Sequence, residues 1–351
     1  MKLENLPGAY LVCENADKIG SFTLFVRVAD KVVMYPILYQ KQQGYFVSPE
    51  SAFSSIQELI THYREQAEGL GIELTHPCCL SEDKNEVDRK QLKVFRKKLS
   101  SGQFGEVQQG LLKATSVTVK ILTMSQESCC HNFLHEAHIM QRFNHPNIVR
   151  LIGLCTQEKP YYIITEFLKH GNLFEYLNSN EGKLLGQPQL IKMAAQVASG
   201  MLQLELCNYI HRNLAAQNIL VGENLICKVG NFQFAQVSDL KHNFPIRPLT
   251  KWTAPEALMY QNFSSKSDVW SFGIVLYELI TQGETPYPDM KDQDVEQKLR
   301  QEDYHMPRPK GCSDKLYNIM QQCWKREVVH RPTFKNLQQE LSNYTTLVGD
   351  H

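Results

Sequence analysis

His211-Arg212-Asn213-Leu214-Ala215-Ala216-Gln217-Asn218 decides how this sequence is read. Ahead of it, Leu190, Met193, Ala194, Val197, Met201 and Leu204 form one long apolar helical stripe. The stripe ends just before Asn208-Tyr209-Ile210, so the helix delivers the octet to a cleft. After it come KVGNFQ (228–233), KWTAPEA (251–257), SDVWSFG (267–273) and Arg331. Asp268 and Trp270 begin an apolar helix placed to support the octet. Further upstream, Gly102, Gly105 and Val107 mark a hairpin within LSSGQFGEVQQG (99–110). Val117, Val119 and Ile121 then alternate with Thr118 and Lys120, the pattern of a strand. A helix over 132–143 presents Glu136. Taken singly, each signal is bland: a glycine turn, a solvated strand lysine, an ordinary helix glutamate.

The chain has 351 residues, 37 basic and 37 acidic, and 42% of it is apolar. That length predicts about two domains with real cores. Zero net charge argues against a protein that grips nucleic acid or an acidic membrane by bulk electrostatics. The ten cysteines are scattered, form no C-x-x-C and show no metal-ligand spacing, which predicts reduced thiols. The start, MKLENLPGAY, lacks a signal-peptide core, and Lys2 stands where N-myristoylation needs Gly. The most apolar stretch, 268–281, is short and broken by Ser271, Gly273 and Glu278. The expectation is a soluble, cytoplasmic protein without a membrane anchor.

A charged seam, 81–98 (SEDKNEVDRKQLKVFRKK), reads as a solvated linker running into an edge strand. Before it, SFTLFVRV (21–28) and VVMYPILY (32–39) predict a hairpin. Ser54-Ser55-Ile56-Gln57 has the form of a capping box with Ser54 at the N-cap and Gln57 three residues on. Ile56, Leu59, Ile60 and Tyr63 make one buried helical face behind it.

In order and interval, the second block resembles a protein kinase over about 92–345. Ala215-Ala216 and the Trp252 phrase resemble the tyrosine-kinase branch. The first block, through GAYLVCEN (8–15), SFTLFV (21–26) and GYFVSPESAFSSIQELITHY (44–63), resembles a Src-homology-2 (SH2) domain. Together they resemble the cytoplasmic Src-like kinases, in the Fyn-related subgroup. The implied architecture is α+β: a two-lobed protein-kinase fold preceded by a partial SH2 domain, a central antiparallel sheet plus helix. The implied limits are 1–80 for the SH2-like part, 81–91 for the linker and 92–345 for the kinase-like domain.

The resemblance implies a buried ion pair between Glu256 and Arg331, and it also assigns sites. Ser100, Gly102, Gly105, Val107, Thr118, Lys120, Glu136 and Thr165 fall at nucleotide-binding positions, Asn213, Gln217 and Asn218 in the catalytic loop, and Asn218 with Asn231 at the metal positions. Asn213 stands where the family has its catalytic Asp, and an amide has no useful basicity near neutral pH. Asn231 stands where an Asp holds Mg²⁺, which prefers charged oxygen ligands. Gln233 replaces the glycine of that phrase, Gln217 an Arg that helps place substrate, and Ser100 the first glycine of the hairpin. Thr118 replaces a small residue beside Lys120 and is expected to crowd an adenine ring. No tyrosine lies between Asn231 and Glu256 to accept an activating phosphate. Cys13 stands where the SH2 family has its phosphate-binding Arg, and a thiol offers no bidentate fork. Met34 and Pro36 lie near two further basic positions of that family. Tyr344 reads as a structural tyrosine.

These departures set the functional expectation. It is a catalytically inactive kinase-like protein, not an enzyme, that works by binding signalling proteins or an active tyrosine kinase. ATP binding is left open with the balance against it, productive Mg²⁺ binding is not expected, and phosphotyrosine peptides bind weakly or not at all. Two alternatives stay open: weak residual ATP-dependent tyrosine phosphorylation, and a degenerate product without selected function.

Overall fold

The structure is a computed structural model that describes residues 7–14, 22–29, 31–40, 43–48, 51–75, 85–102, 105–124, 127–238, 249–301 and 304–348. The chain divides into two units, the first Met1–Lys84 and the second Asn85–Lys241 with Pro245–His351. Asn15, the turn residue Asp30, 81–84 of the seam, Gln103 and Phe104 of the glycine hairpin, 239–248 of the tyrosine-free stretch and 349–351 lie outside the described residues.

The first unit pairs β1 (Tyr10–Glu14), β2 (Phe22–Val28), β3 (Lys31–Gln40), β4 (Gly44–Phe46) and β5 (Ala52–Phe53) in sequence order as one antiparallel sheet. Alternation sends Leu24, Val26 and Ile37 to one face, where they pack with Leu59 and Tyr63 of α1 (Ile56–Glu65) and with Leu70 and Leu74. The cap lies one residue later than the expected one. Ser55 is the N-cap, accepting from Glu58 N at 3.2 Å, and Glu58 reaches back to Ser54 N and Oγ at 3.1 and 2.8 Å. A carboxylate at the positive end of the helix displaces the neutral Gln57 from that role.

In the second unit β6 (Leu92–Gly102), β7 (Gly105–Leu112), β8 (Thr115–Leu122), β9 (Leu151–Cys155) and β10 (Tyr162–Glu166) form a sheet in the order β6-β7-β8-β10-β9. The helix α2 (Glu127–Met140) packs on it, with Phe133 and Ala137 against Leu122, Leu154 and Ile163. That helix begins and ends earlier than 132–143. β6 is an edge strand, and β9 is the other edge.

The linker expectation needs correction on this second edge. Val87 N donates to Leu154 O at 2.8 Å and Leu154 N to Asn85 O at 2.7 Å, so the last part of 81–91 pairs with β9. Glu86 accepts from Thr156 N and Oγ1 at 2.8 and 2.9 Å, and the Arg89 guanidinium lies 4.3 Å from the Tyr162 ring centre. The reason is Gly153: a Cβ there would sit 2.2 Å from Val87 Cγ2, so only a missing side chain lets this segment close on the sheet. Charge density alone does not reveal such a fit.

The helical lobe follows, with α3 (Leu173–Asn178), α4 (Gln187–Leu206), β11 (Tyr209–Ile210), β12 (Ile219–Val221), β13 (Cys227–Val229), β14 (Gln236–Val237), α5 (Pro255–Tyr260), α6 (Ser265–Ile280), α7 (Asp292–Gln301), α8 (Asp314–Cys323) and α9 (Phe334–Val348). The apolar stripe of α4 is buried as its periodicity predicts, and the helix packs against α6 and α9. A capping box of Ser264 and Ser267 starts α6, which is buried over nearly its whole length. Tyr344 is buried in α9 and shares a 2.7 Å hydrogen bond with Ser313 Oγ. Among the described residues no helix is long and apolar enough to cross a membrane.

Candidate active site

The register of the sheet builds the roof of a cleft. Val107 of β7 is directly opposite Lys120 of β8, and Thr118 is opposite Thr165 of β10. Directly opposed residues share a face, so Val107, Thr118, Lys120 and Thr165 all project from one side. On β6, Ser100 is paired with Val107 and Gly102 with Gly105. Gly105 has a steric reason to be glycine, since a Cβ would lie 1.8 Å from Ile121 O. Lys120 Nζ makes an ion pair with Glu136 of α2, whose side chain is 5% exposed. The neighbouring His135 holds α2 to the chain beyond Asn231 by a 2.9 Å bond from Nε2 to Ala235 O.

The floor is built on Asp268 of α6. Its carboxylate accepts from His211 N at 2.7 Å and Arg212 N at 2.9 Å, which fixes the octet at its start. Burial pushes Asp268 up to about 7, against the pull of those two N–H groups and the Arg212 guanidinium. Arg212 takes a left-handed φ of 64°, turning the chain so that its Nε reaches Phe234 O at 2.5 Å. His211 bonds Gly230 O, and the Phe232 ring packs edge-on to His211 and stacks with Phe143. Asn213 is half-buried, and its side-chain amide makes no hydrogen bond among the described residues. Gln217 is exposed. Asn218 is buried and its Nδ2 donates to Asn213 O at 2.6 Å.

Asn231 meets Asn218 directly, its Nδ2 donating to Asn218 Oδ1 at 2.7 Å. The loop takes its left-handed turn at Asn231 (φ 61°), a conformation that asparagine tolerates. Gln233 is half-buried and is not among the residues with positive φ, so its Cβ is accommodated without left-handed strain.

Whether this donor set fits Mg²⁺ follows from its chemistry. Residues 211–218 and 230–238 contain no carboxylate, and the Asn218 amide oxygen already accepts from Asn231 Nδ2. A hard dication that favours one or two carboxylates and near-octahedral geometry finds at most neutral oxygens here. The set does not fit Mg²⁺. Among the described residues no group of three or more His, Cys, Asp or Glu side chains could hold a metal ion.

Several groups around the site were not singled out from the sequence. Glu278 accepts from Ala216 N and Trp252 Nε1, each at 2.9 Å, and burial pushes it up to about 7. A carboxylate within the apolar 268–281 run was its one visible signal, because buried acids normally have partners. Glu166, at the end of β10, takes Lys228 Nζ on both carboxylate oxygens at 2.8 Å. Nothing in the local sequence pairs those two. Glu256 and Arg331 meet as expected.

In the first unit Cys13 of β1 lies opposite Thr23, and Thr23 opposite Pro36. The thiol is half-buried and burial pushes its pKa up, which keeps it neutral. Met34 on the same sheet face is 66% exposed.

Comparison with known proteins agrees with this geometry. The family described as protein tyrosine and serine/threonine kinase matches residues 94–341, and the SH2 domain family matches 1–63. The chain belongs to the protein tyrosine kinase family. Tyrosine-protein kinase FRK of Homo sapiens is 42% identical to this kinase over 97% of its chain and 71% of the human protein. Tyrosine-protein kinase SRK2 of Spongilla lacustris is 44% identical over 96% of both chains. The chain therefore contains an SH2 domain followed by a kinase domain and is related to non-receptor tyrosine kinases. The expectation of a non-enzyme is corrected by these relatives, which are named tyrosine-protein kinases and match nearly the whole chain; they point to an enzyme. The error came from weighing Asn213, Asn231 and the further departures at Gln217, Gln233, Ser100 and Thr118 above the ordered motifs that the chain shares with its relatives. Kinases of this family normally use ATP and Mg²⁺, and an SH2 domain implies phosphotyrosine-bearing partners.

Proposed function

We propose that this protein is a cytoplasmic, Src-like kinase of the Fyn-related subgroup that transfers the γ-phosphoryl group of ATP to tyrosine hydroxyls slowly. The observation that carries the reading is the ion pair between Lys120 and Glu136, which aims an ammonium at the cleft beneath the Val107–Thr118 roof. Phosphoryl transfer is largely positioning and charge neutralisation, and the Lys120–Glu136 pair supports one cationic part of that machinery. Backbone N–H groups of the hairpin that carries Ser100, Gly102 and Gly105 cover the phosphates, and Lys120 neutralises them. Thr165 borders the adenine, which Thr118 crowds.

The slow step follows from Asn213. Its amide orients the attacking hydroxyl by hydrogen bonding and takes no proton, so general-base assistance, a factor of about 10²–10⁴, is lacking. Gln217 provides no cation to place the substrate tyrosine. The SH2 domain binds phosphotyrosine proteins weakly because Cys13 offers no guanidinium. Its partners are signalling proteins, an active tyrosine kinase among them.

Transfer of labelled phosphate to a Glu/Tyr copolymer tests the reading. Wild type is expected to exceed a Lys120→Met control by at least about tenfold, and Asn213→Asp with Asn231→Asp and Gln233→Gly to raise the rate by roughly 10² or more. Wild-type transfer no greater than that of Lys120→Met would refute it.

A further inference from the structure

We infer that Asn231 takes over the structural role of a divalent cation, so that this cleft binds its nucleotide without Mg²⁺. The inference rests on the reading of the cleft as a nucleotide site and asks what holds its floor together.

The orientation of the amides follows from their partners. The Asn213 carbonyl oxygen can only accept, so Asn218 must present its Nδ2 there, at 2.6 Å. Its Oδ1 is then left facing Asn231, which must present its own Nδ2, at 2.7 Å. A third tie, Gly230 N to Asn218 O at 2.9 Å, fixes the backbone beside the pair. The link between the octet and the Asn231 loop is therefore closed by the chain's own donors and acceptors.

A carboxylate at 231 would invert this. Its oxygen would replace the amide nitrogen against Asn218 Oδ1, setting acceptor against acceptor in a part-buried junction. A proton or a shared cation relieves that repulsion. The amide removes the repulsion and with it the need for a cation. For a cation to use both amide oxygens, Asn231 must first break its bond to Asn218, and it then offers only a neutral ligand. The nucleotide side agrees in sign. With no carboxylate in 211–218 or 230–238, these two loops add no negative charge of their own to repel an uncomplexed phosphate chain, and Lys120, ion-paired with Glu136, presents an ammonium to it.

Thermal melting of the full chain with ATP tests this, in excess EDTA and in excess Mg²⁺, because a ligand that binds only the folded state raises the midpoint with concentration. Wild type should give apparent affinities within about threefold of each other in the two conditions. Asn231→Asp should bind at least about tenfold more tightly with Mg²⁺ than with EDTA, and should melt below wild type in EDTA without nucleotide. Asn231→Ala, which loses the donor without adding charge, should melt lower yet bind ATP equally in both conditions. A wild-type response that requires Mg²⁺ overturns this inference alone and leaves the kinase reading standing. No response of wild type in either condition, or one that Lys120→Met leaves intact, overturns both.

Discussion

His211 donates from Nε2 to the carbonyl oxygen of Gly230 at 2.9 Å and accepts on Nδ1 from Asn213 N at 3.3 Å. The carbonyl accepts and the amide donates, so the ring is held as one neutral tautomer. Burial pushes its pKa down to about 4, from 6.5 when exposed. Between those values the unfolded chain binds a proton that the folded one does not, so stability from His211 is full above pH 6.5 and is lost toward pH 4. Asp268 and Glu278, both raised, act in the opposite direction, so the test is a difference. The melting-temperature gap between wild type and His211→Gln should narrow as pH falls from 6.5 to 4, by a stability change of up to about 3 kcal/mol. A gap constant across that range would contradict the assignment.

Arg331 is fully buried and grips Glu256 through both terminal nitrogens, at 2.6 and 2.9 Å, while Nε bonds Lys325 O at 2.8 Å. Removing one partner strands a buried charge, so Arg331→Met should lower the stability of the kinase domain by about 3–5 kcal/mol. Arg331→Met with Glu256→Leu should recover part of that loss. Urea unfolding of the set decides it, and a double variant no better than Arg331→Met would argue that packing, not charge, dominates.

At the Asn85–Leu154 pairing, Gly153→Val should force Val87 off the sheet. Overpacking of this kind costs about 1–3 kcal/mol. Hydrogen exchange at the Val87 and Leu154 amides, which bond across this edge, should quicken by ten-fold or more, roughly 1.4 kcal/mol of local protection. Unchanged exchange at both amides would show that the missing Cβ at Gly153 is not what lets the segment close on β9.

Cys13 is the cheapest position at which to restore phosphate recognition. Cys13→Arg should tighten binding of a phosphotyrosine peptide by at least about tenfold, as expected for one added charge-assisted fork. Met34 and Pro36 would still leave it short of a site with further cations. Calorimetric titration of both proteins measures the gain, and equal affinities would show that the Cys13 side of the sheet is not the phosphate site.

Legibility from sequence differed by kind of interaction. The α4 stripe and the β8 alternation carry their own periodicity, so the helix and the roof face were visible without coordinates. Lys120 with Glu136 and Arg331 with Glu256 were visible only as ordered motifs, since residues so far apart share no local pattern. The bond between Asn231 and Asn218 was invisible, because reading each asparagine as a lost carboxylate describes what is missing and not what an amide can donate. The same bias led to the reading of the chain as a non-enzyme. The attachment of 85–91 was hidden for another reason: it depends on an absent Cβ at Gly153, and one glycine in a strand announces no partner.

The chain has three tryptophans. Trp270 and Trp324 are 2% exposed, whereas Trp252 is half-buried with its indole N–H on the Glu278 oxygen that also holds Ala216 N of the catalytic loop. Its emission is therefore tied to the hydrogen-bonding state of that loop. Trp252 is a built-in optical reporter, and with Trp270 and Trp324 silenced by Phe, loop events in this kinase become readable by fluorescence without any added label.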